Sequence, residues 1–316
     1  MNILVTGGCG YVGSSLVPEL LKQGHLVSVI DTQWFGNTLV ESQNLKITRG
    51  DIRNPDIYPR SKFDVVIHLA NIANDPSVEL NPELSWEVNV LATYQLLFWA
   101  KKSSVKDFIY ASSGSVYGLS EADKVTEDLD LVPISTYNKT KMIAEQVVLN
   151  WSSSFRTVCL RPATICGFSP RMRFDLAVNL LTYQALSKGE ITILGGSQVR
   201  PNIHVNDMVS TYLHFIDHQN LPGGVYNTGF ENLTITEIAE TISSKIPSKI
   251  VTKASNDPRS YRLDSSKLLA TGFSPKFSIG DAIEDLYERF RRGELVNEVQ
   301  NNTVAQMKLL GLGSKG

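Results

Sequence analysis

The sequence predicts an α/β fold: a doubly wound parallel sheet carrying a smaller C-terminal part. Three observations point there. Short apolar runs rich in β-branched residues recur between longer segments of helical period. These runs are apolar throughout rather than alternating, which suits strands covered on both faces. Beyond about Thr164 the alternation gives way to loops rich in Gly, Pro, Ser and Arg.

In order, "NILVT" reads as the first strand, residues 11–22 as a helix and "LVSVI" as the second strand. Pro18 falls inside that helix, where its ring removes a backbone bond, so a kink or an offset start is expected. "DVVIHLA" follows, then a helical stretch over residues 84–102, the strand "FIYAS", a helix over 136–151, and "RTVCLR". Right-handed crossovers between such strands place helices on both faces. Further on, "DLAVNLLTYQAL", "NDMVSTYLHFI" and "TITEIAETISSKI" have helical period, separated by "GFSPRMRFD", "LGGSQVRPN" and "SNDPRSYRLD". The expected division is 1–164 for the sheet, with 202–228 returning to it. Residues 165–201 and 229–300 form the smaller part, and 301–316 a loose tail. Ligands of open α/β sheets bind beyond the carboxyl ends of the strands, so the cleft between the parts is the expected site.

Composition narrows the function. With 42% hydrophobic and 20% charged residues, the chain has the profile of a folded soluble protein. A formal net charge of -2 supplies no basic field for nucleic acid and no polybasic patch for a membrane. Cys9, Cys159 and Cys166 have no metal-ligand spacing and read as buried thiols, so no metal is expected. No apolar run is long enough to span a bilayer, and "MNILVTGG" enters a strand at once, so a cytoplasmic protein is expected.

"ILVTGGCGYVGSSL" places Gly8, Gly10 and Gly13 as G-x-G-x-x-G, and equally Gly7, Gly10 and Gly13, between a strand and a helix. Glycines there allow a tight turn and close approach of a pyrophosphate to the helix N-terminus. The next strand ends in Asp31, whose carboxylate can accept from the adenosine ribose hydroxyls and would repel a 2′-phosphate. No arginine follows in "TQW", so NAD is favoured over NADP. Asp51 in "RGDIRN" has two open readings, an adenine-edge contact and a loop cap. In "STYNKTK", Tyr137 and Lys141 stand four apart and share a helix face. A cation behind the phenol, together with a positive nicotinamide ring, would favour the phenolate and lower its pKa.

Together, "TGGCGYVG", Asp31, "GDI", "HLA", Asn89 in "WEVNVLAT", "SSGSVYG", "YNKTK", "RPATICG", "VRPNIHVND" and "FSPKFSIGDAI" carry a resemblance. The chain resembles an extended short-chain dehydrogenase/reductase of the nucleotide-sugar epimerase and dehydratase branch, up to about residue 292. The resemblance implies a Rossmann sheet, NAD as cofactor, and Tyr137, Lys141 and Ser113 as catalytic residues. It places Gly7, Gly10, Tyr11, Val12, Gly13, Asp31, Asp51, Ile52, Leu69, Ala70, Asn89 and Ser112 around the cofactor, with Tyr137 and Lys141. It also implies a nucleoside-diphosphate sugar held by Ser113, Ser115, Tyr137, Asn179, Arg171, Arg173, Arg200 and Arg259. For Arg171 and Arg173 two readings stay open: recognition of extra charge or hydroxyls on the sugar, and a salt-bridged loop.

Dehydratases of this branch carry Asp-Glu directly after the Ser/Thr; here those positions are Gly114 and Ser115. The 3,5-epimerase/reductases use a Cys and a His, and "SSGSVYG" holds no cysteine. A 4-keto intermediate with hydride returned to the opposite face remains, so a C4 epimerase is expected. A 4-dehydrogenase or 4-ketosugar reductase on the same site, and a non-catalytic binding protein, are the alternatives. The resemblance also implies a homodimer formed through the helices of 84–102 and 136–151. Departures from the branch are Thr164, Cys166 and Asn71; for Asn74 and Asp75 two readings stay open, an approach to the sugar and a turn built on Asn-Asp-Pro. His204 reads as completing a buried strand and Asp207 as the N-cap of the next helix.

Overall fold

The computed structural model describes residues 1–119, 122–254 and 260–313. The chain runs through β1 (Asn2–Thr6), α1 (Gly13–Lys22), β2 (Leu26–Asp31), β3 (Leu45–Arg49), β4 (Val65–His68), α2 (Asp75–Leu80), α3 (Pro82–Trp86) and α4 (Ala92–Lys102). It continues as β5 (Asp107–Ala111), α5 (Thr136–Leu149), β6 (Arg156–Pro162), β7 (Thr164–Cys166), α6 (Ala177–Lys188), β8 (Glu190–Leu194) and β9 (Val199–His204). Then come α7 (Val205–Asp217), β10 (Gly224–Thr228), β11 (Glu231–Thr234), α8 (Ile235–Lys245), β12 (Lys249–Lys253), α9 (Ser266–Leu269), α10 (Ile279–Arg291) and α11 (Thr303–Leu309).

Seven strands form one sheet in the order β10-β6-β5-β4-β1-β2-β3. Every pairing in it is parallel. The order reverses between β1 and β4, and the crevice outside the carboxyl ends of these two strands is where a doubly wound sheet binds its ligand. Alternate residues of β1 feed two cores: Ile3 and Val5 pack with α1 and α7, Leu4 with α4 and α5. That two-sided burial is what the continuous apolar runs anticipated. The smaller part combines a β11-β9-β7 sheet, a β12-β8 pair and the helices α6, α8 and α10 around a third cluster.

The first helix starts at Gly13 and runs unbroken across Pro18. The proline forfeits the bond to the Ser14 carbonyl, a cost of about 3 kcal/mol. Leu16, Val17 and Leu20 are fully buried along the same helix. At about 1.5–3 kcal/mol each, their burial outweighs it. Residues 84–102 are helical but not uniform: a π turn over Glu87–Leu91 separates α3 from α4.

Two expectations are corrected. Asp207 is not an N-cap, because the His204 ring caps α7 by accepting from the Asn206 amide at 3.0 Å. Asp207 is buried at the third position of that helix, and its carboxylate accepts from the Lys276 and Phe277 amides, each at 2.9 Å, pinning the approach to α10. The expected loose tail is ordered as α11, which packs against α2. Met307 lies buried in the sheet-side core. Residues 314–316 of the tail lie outside the described residues.

Among the described residues no helix is long and apolar enough to cross a membrane. No cluster of His, Cys, Asp and Glu among them is arranged to hold a metal.

Candidate active site

The turn after β1 is built so that only glycine fits. Gly7 has φ +75°, and a Cβ there would sit 2.6 Å from the Ala70 nitrogen. At Gly13 it would sit 2.5 Å from the Gly7 oxygen. The chain after β4 therefore passes directly against the turn, and the first amides of α1 face the space above it. That space is a cleft of about 790 Å³, lined on this side by Gly7, Gly10, Tyr11, Val12 and Gly13. It continues into a recess of about 110 Å³ lined by Asp31, Asp51, Ile52, Leu69 and Ala70.

Asp31 ends β2 inside this recess. Its two oxygens accept from the Gln33 amide at 2.7 Å and the Cys9 amide at 2.9 Å. Each oxygen keeps a free lone pair for a hydroxyl. Burial raises its pKa, and the two amides oppose the shift. Asp51 fulfils the loop-capping reading, accepting from the Arg53 amide at 2.9 Å and from its guanidinium at 2.7 Å, while still lining the recess.

Ser113, Tyr137 and Lys141 meet on the opposite wall of the cleft. Ser113 caps the 3-10 turn Gly114–Tyr117, and its hydroxyl lies 2.8 Å from that of Ser115. Tyr137 is the second residue of α5, whose cap Ser135 accepts from the Asn138 amide at 3.1 Å and donates to Asp75. A helix N-terminus favours negative charge at that position. Lys141 donates from Nζ to the Ala111 carbonyl at 2.7 Å, beneath Tyr137 and over the Tyr110 ring.

The electrostatics differ from the expectation. Burial pushes the Tyr137 phenol above its ordinary value, opposed chiefly by a hydrogen bond with Ser113; Asp75 raises it further, while Arg173 lowers it. Burial pulls Lys141 down to about 7, opposed by Glu145. In the cofactor-free protein, desolvation rather than mutual attraction governs the pair, because both charged forms lose water.

With the glycine turn, the Asp31 carboxylate and the Tyr–Lys–Ser wall in place, comparison with known proteins is decisive. The family model "NAD dependent epimerase/dehydratase family" matches residues 3–229. The chain belongs to the NAD dependent epimerase/dehydratase family. It is 28% identical over 306 residues to UDP-glucose 4-epimerase of Lactobacillus helveticus, covering 87% of this chain and 92% of the relative. It is 32% identical over 269 residues to a bifunctional UDP-glucose 4-epimerase and UDP-xylose 4-epimerase of Pisum sativum, covering 72% and 76%. Among solved structures it resembles UDP-glucuronic acid 4-epimerase from Bacillus cereus in complex with UDP-glucuronic acid and NAD. The TM-score is 0.80 and the identity 28%, over 92% of this chain and 99% of that one.

The cleft fits the family's NAD. Polar atoms that line it are buried without partners among the described residues: both amide atoms of Asn71, and Nε of Arg171. Arg171 lies over the Phe35 ring at 4.1 Å, makes no ion pair among the described residues, and its amide donates to Ser14 Oγ in α1. Burial and the neighbouring Arg173 pull its guanidinium well below the ordinary range. An unpaired cation beside the glycine turn calls for an anion. Its place is on the dinucleotide side rather than the sugar side expected for it. Arg171→Met should weaken NAD binding by about 1.5–3 kcal/mol, the worth of a hydrogen bond to a charged group. The same change should raise the melting temperature of the cofactor-free protein. Titration calorimetry and thermal melts check both signs.

Other expected residues divide. Arg173 follows the salt-bridge reading, gripping Asp175 through Nε at 2.8 Å and Nη2 at 3.1 Å, and lines the cleft. Arg200 and Ser115 line the cleft. Arg259 lies outside the described residues. Asn179, expected toward the substrate phosphates, is turned inward: its amide donates to the Tyr11 hydroxyl and the Arg173 carbonyl and accepts from Gly167 N. Asn89, expected at the cofactor, braces the loop after β4 instead, bonding both the amide and the carbonyl of Ile72 and the Thr140 hydroxyl. Each is fully buried with its amide satisfied. Ser112 lines the cleft, but its hydroxyl donates to Glu145 at 2.6 Å.

Sequence reasoning missed Tyr261 and the residues Asn302, Thr303, Val304 and Met307, all of which line the cleft. The signal for the last four was present: Asn302 stands before a short helical pattern with apolar residues at 304 and 307.

Proposed function

We propose that the chain is an NAD-dependent nucleotide-sugar epimerase acting at sugar C4 through a 4-keto intermediate. The observation that carries this reading is the convergence of Ser113, Tyr137 and Lys141 on a cleft whose other wall is the glycine turn. Gly114 and Ser115 stand where elimination would need an acid and a base. Relatives and structural neighbours named as UDP-sugar 4-epimerases support the same choice.

Bound NAD supplies a hydride acceptor that later gives the hydride back. Ser113 Oγ holds the C4 oxygen, Tyr137 Oη takes its proton and later returns it, and Lys141 Nζ steadies the charge on the phenol. Arg200, with Arg259, is assigned to the nucleoside diphosphate, since planar guanidinium forks suit such oxyanions. In this reading residues 1–164 and 202–228 hold the cofactor, while 165–201 and 229–300 hold the substrate, apart from Arg171, which reaches the dinucleotide. The C-terminal segment joins the cofactor side.

A homodimer fits the exposed stripe Leu91, Tyr94 and Phe98, of which the last two lie on α4, with Trp151 beyond α5 packed edge-on to both rings. Three free, buried cysteines suit a cytoplasmic setting.

The test is incubation of purified, NAD-loaded protein with UDP-, GDP-, CDP- and dTDP-sugars. Interconversion of C4 epimers without net NADH is expected. Stoichiometric NADH release would replace the epimerase with a 4-dehydrogenase on the same residues. Binding with neither outcome would leave a non-catalytic protein.

A further inference from the structure

Beyond α10 the chain crosses back from the smaller part to the main sheet. It first follows the loop that carries Arg171 and Arg173: Asn301 donates from Nδ2 to the Met172 carbonyl at 3.3 Å and accepts the Phe174 amide at 2.9 Å. Asn302 then caps α11. The Thr303 amide donates to Asp175, the carboxylate that grips Arg173, at 3.3 Å. One turn later Gln306 Nε2 donates to the Trp34 carbonyl at 2.7 Å, just past β2. Met307 is 1% exposed, in one cluster with Ile52, Val88, Trp34 and Phe35. The Leu312 carbonyl accepts from Asn81 Nδ2 at 3.1 Å.

These anchors lie on both rims of the cleft. Asp175 belongs to the smaller part, Trp34 and Asn81 to the sheet side. Between them Asn302, Thr303, Val304 and Met307 form part of the cleft lining. The hydrogen-bonded anchors are single bonds worth about 0.5–1.5 kcal/mol each. Met307 adds about 1.5–3 kcal/mol by its burial. The segment is thus held more weakly than the seven-stranded sheet and can lift while that sheet stays folded.

We infer that residues 298–313 are a movable wall of the cofactor site, a strap that must open for the dinucleotide to enter or leave. The inference rests on the reading above only in taking NAD as the ligand of the cleft. Retention of this kind suits an enzyme that gives hydride back within one binding event, since a dinucleotide lost midway would leave a ketone behind.

Thr303 is the first residue of α11, a position where proline is tolerated and where its missing N–H removes the link to Asp175. The variant Thr303→Pro/Gln306→Ala therefore loosens both rims while keeping the helix. A second protein lacks residues 298–316 altogether. Each is loaded with radiolabelled NAD, and loss of label is followed after a chase of unlabelled NAD, with no sugar present. Release about tenfold faster or more in the point variant, and at least as fast in the shortened chain, is expected. Should the shortened chain fail to fold, the point variant decides alone. Release within about twofold of the parent in the point variant overturns the inference. Because no sugar is added, absence of epimerase activity would not disturb this result.

Discussion

Tyr137→Phe should lower kcat by about 10²–10⁴-fold while NAD still binds, since removing a positioned acid–base group costs that much and the ring is kept. The phenol stands at the second position of α5 with Ser113 hydrogen-bonded to it and Lys141 one turn behind. Phenylalanine preserves the packing and deletes only the proton carrier. Single-turnover assays with NAD-loaded protein separate chemistry from binding; unchanged turnover would remove Tyr137 from the mechanism.

The same pair fixes the sign of the pH dependence. A neutral phenol beside a neutral amine holds as many protons as a phenolate beside an ammonium. The reactive form therefore shares its protonation level with the state that burial favours. Activity is lost when that level gains a proton, which happens as pH falls through the Lys141 value of about 7. The rate should rise with pH through neutrality and level off above it. Glu145 and Asp75 act on Lys141 and Tyr137 respectively, so the limb belongs to the group and not to one residue.

Arg161→Met should destabilise the fold by about 3–5 kcal/mol, the cost of stranding a buried charge. Arg161 reaches Glu145 through Nε at 2.9 Å and Nη2 at 2.6 Å, and the two side chains are 4% and 0% exposed. Glu145 also accepts from Ser112, while Arg161 Nη1 donates to the Tyr117 hydroxyl at 2.6 Å, which in turn donates to Asn227 at 2.7 Å. One ion pair thus ties α5, β6, the turn after β5 and β10 together beneath the wall that carries Ser113, Tyr137 and Lys141. Replacing both partners, Arg161→Met with Glu145→Leu, should recover much of the loss, because no lone charge remains. Urea unfolding of the three proteins checks this. Equal stability of parent and single variant would show that Glu145 finds water or another cation.

The sheet and the cofactor turn were legible because each rests on local chemistry. Gly7, Gly10 and Gly13 are required by contacts within a few residues and by one neighbouring strand end. The strands announce themselves by burial on both faces. Tyr137, Lys141 and Ser113 were legible through the resemblance and converge as expected. What escaped the sequence depends on partners far along the chain. Asn89 and Asn179 were expected at ligands, but each has every amide bond taken by a backbone or side chain that no spacing rule reveals. Arg171 and Arg173 look alike in "SPRMRFD", yet among the described residues only Arg173 closes an ion pair with Asp175. That leaves one arginine neutralised and the other waiting for an anion. Residues 301–313 read as a tail because α11 is short, and its stability comes from the cleft rim rather than from helix propensity.

The π turn at Glu87–Leu91 has a consequence for the outer surface. An α-helix advances 100° per residue, so one residue accommodated in a wider turn rotates everything beyond it by that angle. Within the turn Asn89 faces the sheet loop; from its last residue, Leu91, onward, Leu91, Tyr94 and Phe98 look out to solvent. A single rod of helix thereby serves two directions that a regular spiral would not reconcile, a brace within the subunit and an apolar ridge on its outer surface.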